Sequence, residues 1–294
     1  MWKSTSPRLV GTLFILLSAL AFGVLPLFTH YIYAAGADTR TVLILRFSIA
    51  GAVMVGVMLA RNETWPRGRA LLGLIAMGAI GYAGQSFCYF TALHYASAGL
   101  VALLLYLYPI LVTLLAVILL KDKMTRPKLI ALALASAGLV MTIGPALDGS
   151  LLGIGLGLLA AIIYSLYVIA GSRLTVGASP MASATVIMLS AATTFSLSMV
   201  NGEPAWPTGM VGWSAMVMLA LISTVVAIVT FFAGLTRLGP SESSMLSTFE
   251  PVVSVAGAAW LLGDQMSIWQ WFGGGLILAS ALLLARSGTA QAAD

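Results

Sequence analysis

The stretch STFEPVVSVAGAAWLLGD, from Ser247 to Asp264, places a carboxylate, Glu250, directly before Pro251 in an otherwise apolar run. A carboxylate there is costly if the run crosses lipid, so it must face a bundle interior or a wet cavity. Ser243, Ser247, Glu250 and Ser254 are spaced by four, three and four residues and share one helical face. Pro251 removes a backbone donor and leaves a carbonyl one turn earlier to be satisfied by side chains or water. Two chemistries suit Glu250: binding an ammonium group, or carrying a proton. The alternative is a structural carboxylate hydrogen-bonded at a proline-weakened helix.

Arg46, in VLILRFSIAGAV, is the second charge inside an apolar run. As a ligand its planar fork would take a carboxylate in a bidentate pair. As a structural residue it would pair with Asp38 or with a helix-end carbonyl, and its shallow depth favours that role. Tyr82, Gln85 and Tyr89 are spaced by three and four residues and face one way. Tyr164 and Tyr167, and Tyr106 and Tyr108, add hydroxyl-bearing rings. Such rings suit a pocket for a small amphipathic solute. Near an interface tyrosine is instead an aromatic-belt residue, as Trp65, Trp206, Trp213, Trp269 and Trp271 are expected to be. His94 falls in a short link and is expected to be exposed there.

The elements that position these groups must be apolar helices. Of 294 residues, 60% are hydrophobic and 8% charged, against roughly a quarter charged in soluble domains. Runs long enough to cross a bilayer, about 20 residues each, fall near 9–34, 41–60, 70–92, 98–120, 128–144, 150–170, 180–200, 211–235, 241–262 and 267–285. The expectation is an all-α, polytopic membrane protein of ten transmembrane helices. The net charge of +5 comes from basic residues in short links that form no stripe, so no nucleic-acid partner is expected. The single cysteine, Cys88, excludes an intrachain disulfide. No metal-binding cluster, Walker-type loop or catalytic nucleophile is present, so no cofactor, metal site or enzymatic activity is expected.

With both termini cytoplasmic, every Lys and Arg lies inside except Arg40, which is external, and Arg46, which is within a span. This is the orientation the positive-inside rule selects. A shift of 142 residues then brings the halves into register: Phe90 falls on Phe232, Pro109 on Pro251, and Asp122 on Asp264. Two copies, 1–144 and 145–294, each hold five spans. An odd number makes the second copy enter from the opposite side. Inverted repeats of this kind underlie alternating access in secondary transporters, whereas a duplicated channel, membrane enzyme or passive scaffold is the competing reading. Gly153, Gly155 and Gly157, and the run Gly273–Gly275, permit close helix approach.

The chain resembles the EamA-type drug/metabolite transporters on three segments: VLILRFSIAGAV, FTALHYASAGLVALLLYLYP and EPVVSVAGAAWLLGD. Members of that family usually carry Gly-Glu where this chain has Lys121-Asp122 and Gly263-Asp264, so both acids are kept in shortened form as helix-end features. The resemblance implies two five-helix copies in a bacterial inner membrane and an exporter of amino acids or related small metabolites. Sugars, nucleobases and drugs are the alternative cargo. The substrate-binding candidates are Tyr82, Gln85, Tyr89, Tyr164, Tyr167, Ser247 and Glu250. The structural or gating candidates are Arg46, Pro109, Pro251, Asp122 and Asp264. The expected partners are a small-molecule substrate and membrane lipid, with the protein acting as a monomer.

Overall fold

The computed structural model describes residues 6–143, 149–197, 203–261 and 267–291; within these the chain is helical, with no β-strand and one isolated bridge between Ala96 and Gly149. Asp264 and the expected copy boundary at 144–145 lie outside the described residues. The first half comprises α1 (Pro7–Gly23), α2 (Leu25–Ala34), α3 (Thr39–Ala60), α4 (Gly68–Ala76), α5 (Ala83–Ala92), α6 (Ala98–Leu105), α7 (Tyr108–Leu120) and α8 (Arg126–Ile143). The second comprises α9 (Leu151–Leu174), α10 (Pro180–Leu197), α11 (Gly209–Ala220), α12 (Ala227–Leu238), α13 (Pro240–Ser247), α14 (Glu250–Leu261) and α15 (Ile268–Gln291).

Among the described residues eight stretches are long and apolar enough to cross a membrane, where ten were expected. The difference falls on the last two. The stretch expected as the ninth span carries Ser241, Glu242, Ser243, Ser244 and Glu250, which lower its hydropathy, and the apolar part of α15 is the shorter run Ile268–Leu284. Helix starts follow from local chemistry. The Ser6 hydroxyl accepts from Leu9 N with Pro7 in the first turn, the Asp38 carboxylate accepts from Thr41 N, and Ser150 accepts from Gly153 N. Each satisfies one of the amides that a helix start leaves unpaired. Between α12 and α13 the chain reverses at Gly239, whose φ of 79° and ψ of 172° lie in a region open essentially to glycine alone.

The two halves interlock. α3 packs along α10 and α8 along α15, each against its own counterpart under the 142-residue shift; α1 packs on α12, and correspondingly α9 packs on α5. The α8–α15 contact is backbone on backbone. A Cβ at Gly138 would stand 2.5 Å from Gly273 O, and one at Gly273 would stand 2.5 Å from Gly138 O. The expected glycine seams are therefore only partly seams. Gly153 and Gly157 abut Tyr95–Ala96 and Leu104, whereas Gly155 and Gly275 have nothing within 4 Å. Helical periodicity explains this, because residues two apart in a helix point away from each other.

Two irregularities occur in both copies. The α6–α7 run is broken at Tyr106–Leu107 and the α13–α14 run at Thr248–Phe249, positions that coincide under the repeat shift, with Pro109 and Pro251 in the first turns that follow. Proline cannot donate to the preceding turn, so each run restarts around it. The second irregularity is a π-helical segment between α4 and α5 (Met77–Tyr82) and another between α11 and α12 (Leu221–Val226). These overlap under the same shift, and Tyr82 falls on Thr224.

Candidate functional site

A cavity of about 320 Å³ opens where the two broken runs meet. Tyr108 and Glu250, the residues that restart the helices and each other's repeat counterparts, both line it. So do Tyr82, Gln85, Tyr89 and Tyr164 among the residues expected to bind a solute. Arg46, Ser86, Tyr106, Ser254, Pro26 and Pro251 complete its polar and restricted positions. Two expected lining residues stand back from it. Ser247 is buried and its hydroxyl donates to Ser243 O at 2.9 Å. Tyr167 is buried behind the wall, its ring 5.8 Å from that of Tyr82 and 5.7 Å from that of Tyr164.

Arg46 is 6% exposed and does not pair with Asp38, whose carboxylate instead caps α3. Its Nε donates to Thr224 Oγ1 at 2.6 Å, and its Nη2 donates to Ser223 O at 2.9 Å and to the Tyr82 hydroxyl at 3.3 Å. The carbonyl it binds belongs to a π-helical segment within a span, not to a helix end. Widening the helix there shifts the backbone pattern, and the Thr224 hydroxyl in turn donates to Leu219 O at 3.1 Å. π-segments of this kind recur at functional sites. The guanidinium carbon also lies 5.1 Å from the Phe47 ring centroid. Among the described residues Arg46 makes no ion pair, and its Nη1 makes no hydrogen bond.

Aromatic rings run without a gap from Arg46 towards Glu250. Phe47 meets Tyr82 at 5.1 Å, Tyr82 meets Tyr167, Tyr167 meets Tyr164, Tyr164 meets Tyr108 at 4.7 Å, and Tyr108 meets Tyr106 at 6.2 Å. Edge-to-face and offset pairs of this kind hold one another rigidly. The Tyr106 hydroxyl faces the Glu250 carboxyl. Glu250, like Arg46, makes no ion pair among the described residues. Gln85 takes a hydrogen bond on Oε1 from the Ser86 hydroxyl at 3.3 Å. Pro109 is buried, and its carbonyl accepts from Thr113 Oγ1 at 2.7 Å. His94 is exposed, with Nδ1 3.1 Å from Phe90 O.

The lining residues lie in the parts of their helices remote from the basic links, and the basic end of the bundle is tied across by ion pairs. Arg8 Nη2 is 2.6 Å from Glu242 Oε2, Lys128 Nζ is 3.7 Å from Glu242 Oε1 and 3.0 Å from Asp122 Oδ1, and the Ser241 hydroxyl donates to Asp122 Oδ2 at 2.8 Å. This cluster ties α1, α8 and α13 to Asp122, two residues beyond α7. Lys121 closes α7 in the left-handed region, with φ 56°, and the Asp122 amide donates to Ala116 O. Asp122 is thus the helix-end residue expected, and its side chain adds an ionic role. Burial pushes its carboxyl up, but the bonds from Ser241 and Lys128 and the Lys128 charge outweigh this and hold it below the ordinary carboxylate value. Glu242 is the member without a sequence motif. Its one signal is an acid in PSESS at a link otherwise marked by basic residues.

The comparisons with known proteins agree with this architecture. The model of the EamA-like transporter family matches twice, over residues 9–144 and 151–286. The transporter YyaM of Bacillus subtilis is 27% identical over 251 residues, covering 81% of each chain. The inner membrane transporter YedA of Escherichia coli is 26% identical over 263 residues, covering 87% of this chain and 85% of its own. A protein of Ancylobacter novellus described as the aromatic amino acid exporter YddG is 30% identical over 225 residues, covering 71% of this chain and 75% of its own. A crystal structure of a protein 25% identical to this one superposes with a TM-score of 0.83, covering 95% of this chain and 99% of that one.

Proposed function

From the premise that this chain belongs to the EamA-like transporter family, and is therefore a membrane transporter and not an enzyme, we propose that it exports amino acids or related small metabolites by alternating access. The observation that carries the reading is the cavity at the paired helix breaks: it is lined by tyrosines and two opposite charges, and ion pairs tie the elements of the basic end beyond it. Discontinuous helices at a repeat interface are where secondary transporters bind their cargo. The volume of about 320 Å³ lies at the small end of the range for ligand pockets, roughly 300–1,000 Å³, which suits a single metabolite better than a drug. The aromatic amino acid exporter named above supports the same cargo class.

In this reading the chain crosses a bacterial inner membrane ten times as two inverted copies, with both termini and the basic end cytoplasmic, and works as a monomer on a small-molecule substrate. The structure then corresponds to an outward-facing state. Purified protein in liposomes loaded with unlabelled phenylalanine should take up labelled phenylalanine by counterflow that saturates and is competed by other amino acids. Unsaturable flux would mean a channel, and no flux of any solute would leave a scaffold.

Gln85 gives a narrower check. Its amide N–H₂ makes no hydrogen bond among the described residues, and it lines the cavity. Gln85→Leu removes that donor from the cavity wall, so the apparent KM for counterflow should rise about fivefold, the worth of one net hydrogen bond of about 1 kcal/mol. The melting temperature should stay as in the wild type. A lowered melting temperature with unchanged KM would make Gln85 a helix-packing residue.

A further inference from the structure

Two charged side chains line the cavity, Arg46 buried and Glu250 half-buried, and neither makes an ion pair among the described residues. Arg46 comes from α3 and Glu250 from α14, and they are not in salt-bridge contact with each other. Every other lining side chain is uncharged. A charge removed from water without a partner is destabilising, and far more so in a membrane interior. Arg46 uses Nε and Nη2 on three neutral acceptors. These bonds orient the guanidinium without neutralising it, and they leave Nη1 as the unengaged donor. Glu250 has the Tyr106 hydroxyl near it and makes no ion pair among the described residues; Arg46 is the cation whose charge reaches it across the cavity.

We propose that Arg46 and Glu250 are the two charge subsites of a single binding site, Arg46 taking a carboxylate and Glu250 an ammonium, so that the solute recognised is a zwitterion. This rests on the transporter reading above and adds the chemical class and the orientation of the cargo. A neutral sugar or nucleobase would leave both charges without partners, and an amine or an acid alone would leave one. A zwitterion neutralises both at once. Its apolar portion meets the wall that runs between them, where Tyr82, Tyr164, Tyr108 and Tyr106 present ring faces and edges. Both charged residues are preset by groups that have no charge of their own to compete with the solute. A site built this way rejects solutes that lack either charge, because the protein group left behind stays buried and unpaired.

The test is an analogue series measured as competition of counterflow in liposomes: phenylalanine, phenethylamine, which lacks the carboxylate, and 3-phenylpropionate, which lacks the ammonium. In the wild type each truncated analogue should compete at least about tenfold more weakly than phenylalanine. In Arg46→Gln the preference for phenylalanine over phenethylamine should collapse towards one while the preference over phenylpropionate persists. In Glu250→Gln the pattern should reverse. A structural role for either residue would weaken all three competitors alike and preserve their ratios, and that result overturns the assignment. If a glutamine variant fails to insert, the wild-type ratios decide: equal competition by all three analogues overturns the proposal. Saturable flux of sugars or amines with no competition by phenylalanine overturns it too while leaving the transporter intact. Absence of saturable flux for every solute removes the transporter reading with it.

Discussion

Glu242→Gln is expected to release the basic end of the bundle. In the wild type the Glu242 side chain is 7% exposed and lies between Arg8 and Lys128. Glutamine keeps the size and some hydrogen bonding but removes the charge, leaving Arg8 without its ion pair and Lys128 with Asp122 alone. Breaking a buried pair costs about 3–5 kcal/mol. Arg8 is 31% exposed, and solvent screening lowers the figure to about 2–3 kcal/mol. At about 1.4 kcal/mol per factor of ten, a loss confined to the closed state shifts its population against the open one by roughly 30- to 150-fold. The neutral Ser241 contact and the apolar packing beneath remain, so the fold should persist.

The measurement is the rate of thiol labelling at Ser244→Cys in a Cys88→Ala background, with reagent applied from the basic end. Ser244 is fully buried and lies two residues after Glu242 in α13, so its labelling reports opening at this end. Labelling should be slow with Glu242 in place and markedly faster in Glu242→Gln. Unchanged labelling accompanied by a lower melting temperature would make the cluster a stabilising feature only. Acid should mimic the substitution in part. Asp122 is held below the ordinary carboxylate value, so its contribution is present above that value and is lost only as pH falls through the lower one. The cluster should therefore stay closed across neutral pH.

The features legible in the sequence were those encoded by short-range spacing or by the repeat. Tyr82, Gln85 and Tyr89 share a helical face whatever surrounds them, and all three line the cavity. The match of Pro109 with Pro251 marks both helix breaks, because a missing backbone donor acts locally. Spacing was insufficient for Tyr167 and Ser247. Each shares a face with a lining residue, but the cavity ends short of them, and where a cavity ends depends on the neighbouring helix. The partners of Arg46 were out of reach for a related reason. Thr224 and Ser223 lie 178 and 177 residues away and look like any other hydroxyl residues in an apolar run. The π-segments add one residue to a turn where nearly every side chain is apolar, so the change of period leaves no mark. Glu242 and Arg8, 234 residues apart, meet only because α1 and α13 start at the same end of the bundle.

The second large effect is expected at Thr224. Arg46 is one residue held by two positions that are equivalent in the two copies, Tyr82 at the end of one π-segment and Thr224 within the other. It therefore joins the irregular turns of both copies across the centre of the bundle, where each copy is free to bend. Thr224→Val keeps the shape but removes the acceptor of Nε, and it also frees Leu219 O from the bond that spans the π-turn. Thr224 is fully buried, so no water replaces the hydroxyl. A charged donor left unsatisfied costs about 2–3 kcal/mol, which at about 2–4 °C per kcal/mol corresponds to a fall in melting temperature of roughly 4–12 °C. Counterflow should fall further than stability does, because the guanidinium loses the bond that aims it into the cavity. Thr224→Ser retains the hydroxyl and should stay close to the wild type in both measurements. If Thr224→Val and Thr224→Ser behave alike, the hydroxyl is not what orients Arg46. If valine lowers melting but leaves the preference for phenylalanine over phenethylamine intact, Arg46 links the two π-segments without serving the solute. Loss of both together, with serine restoring both, is the outcome expected when the bond that joins the copies also presents the charge.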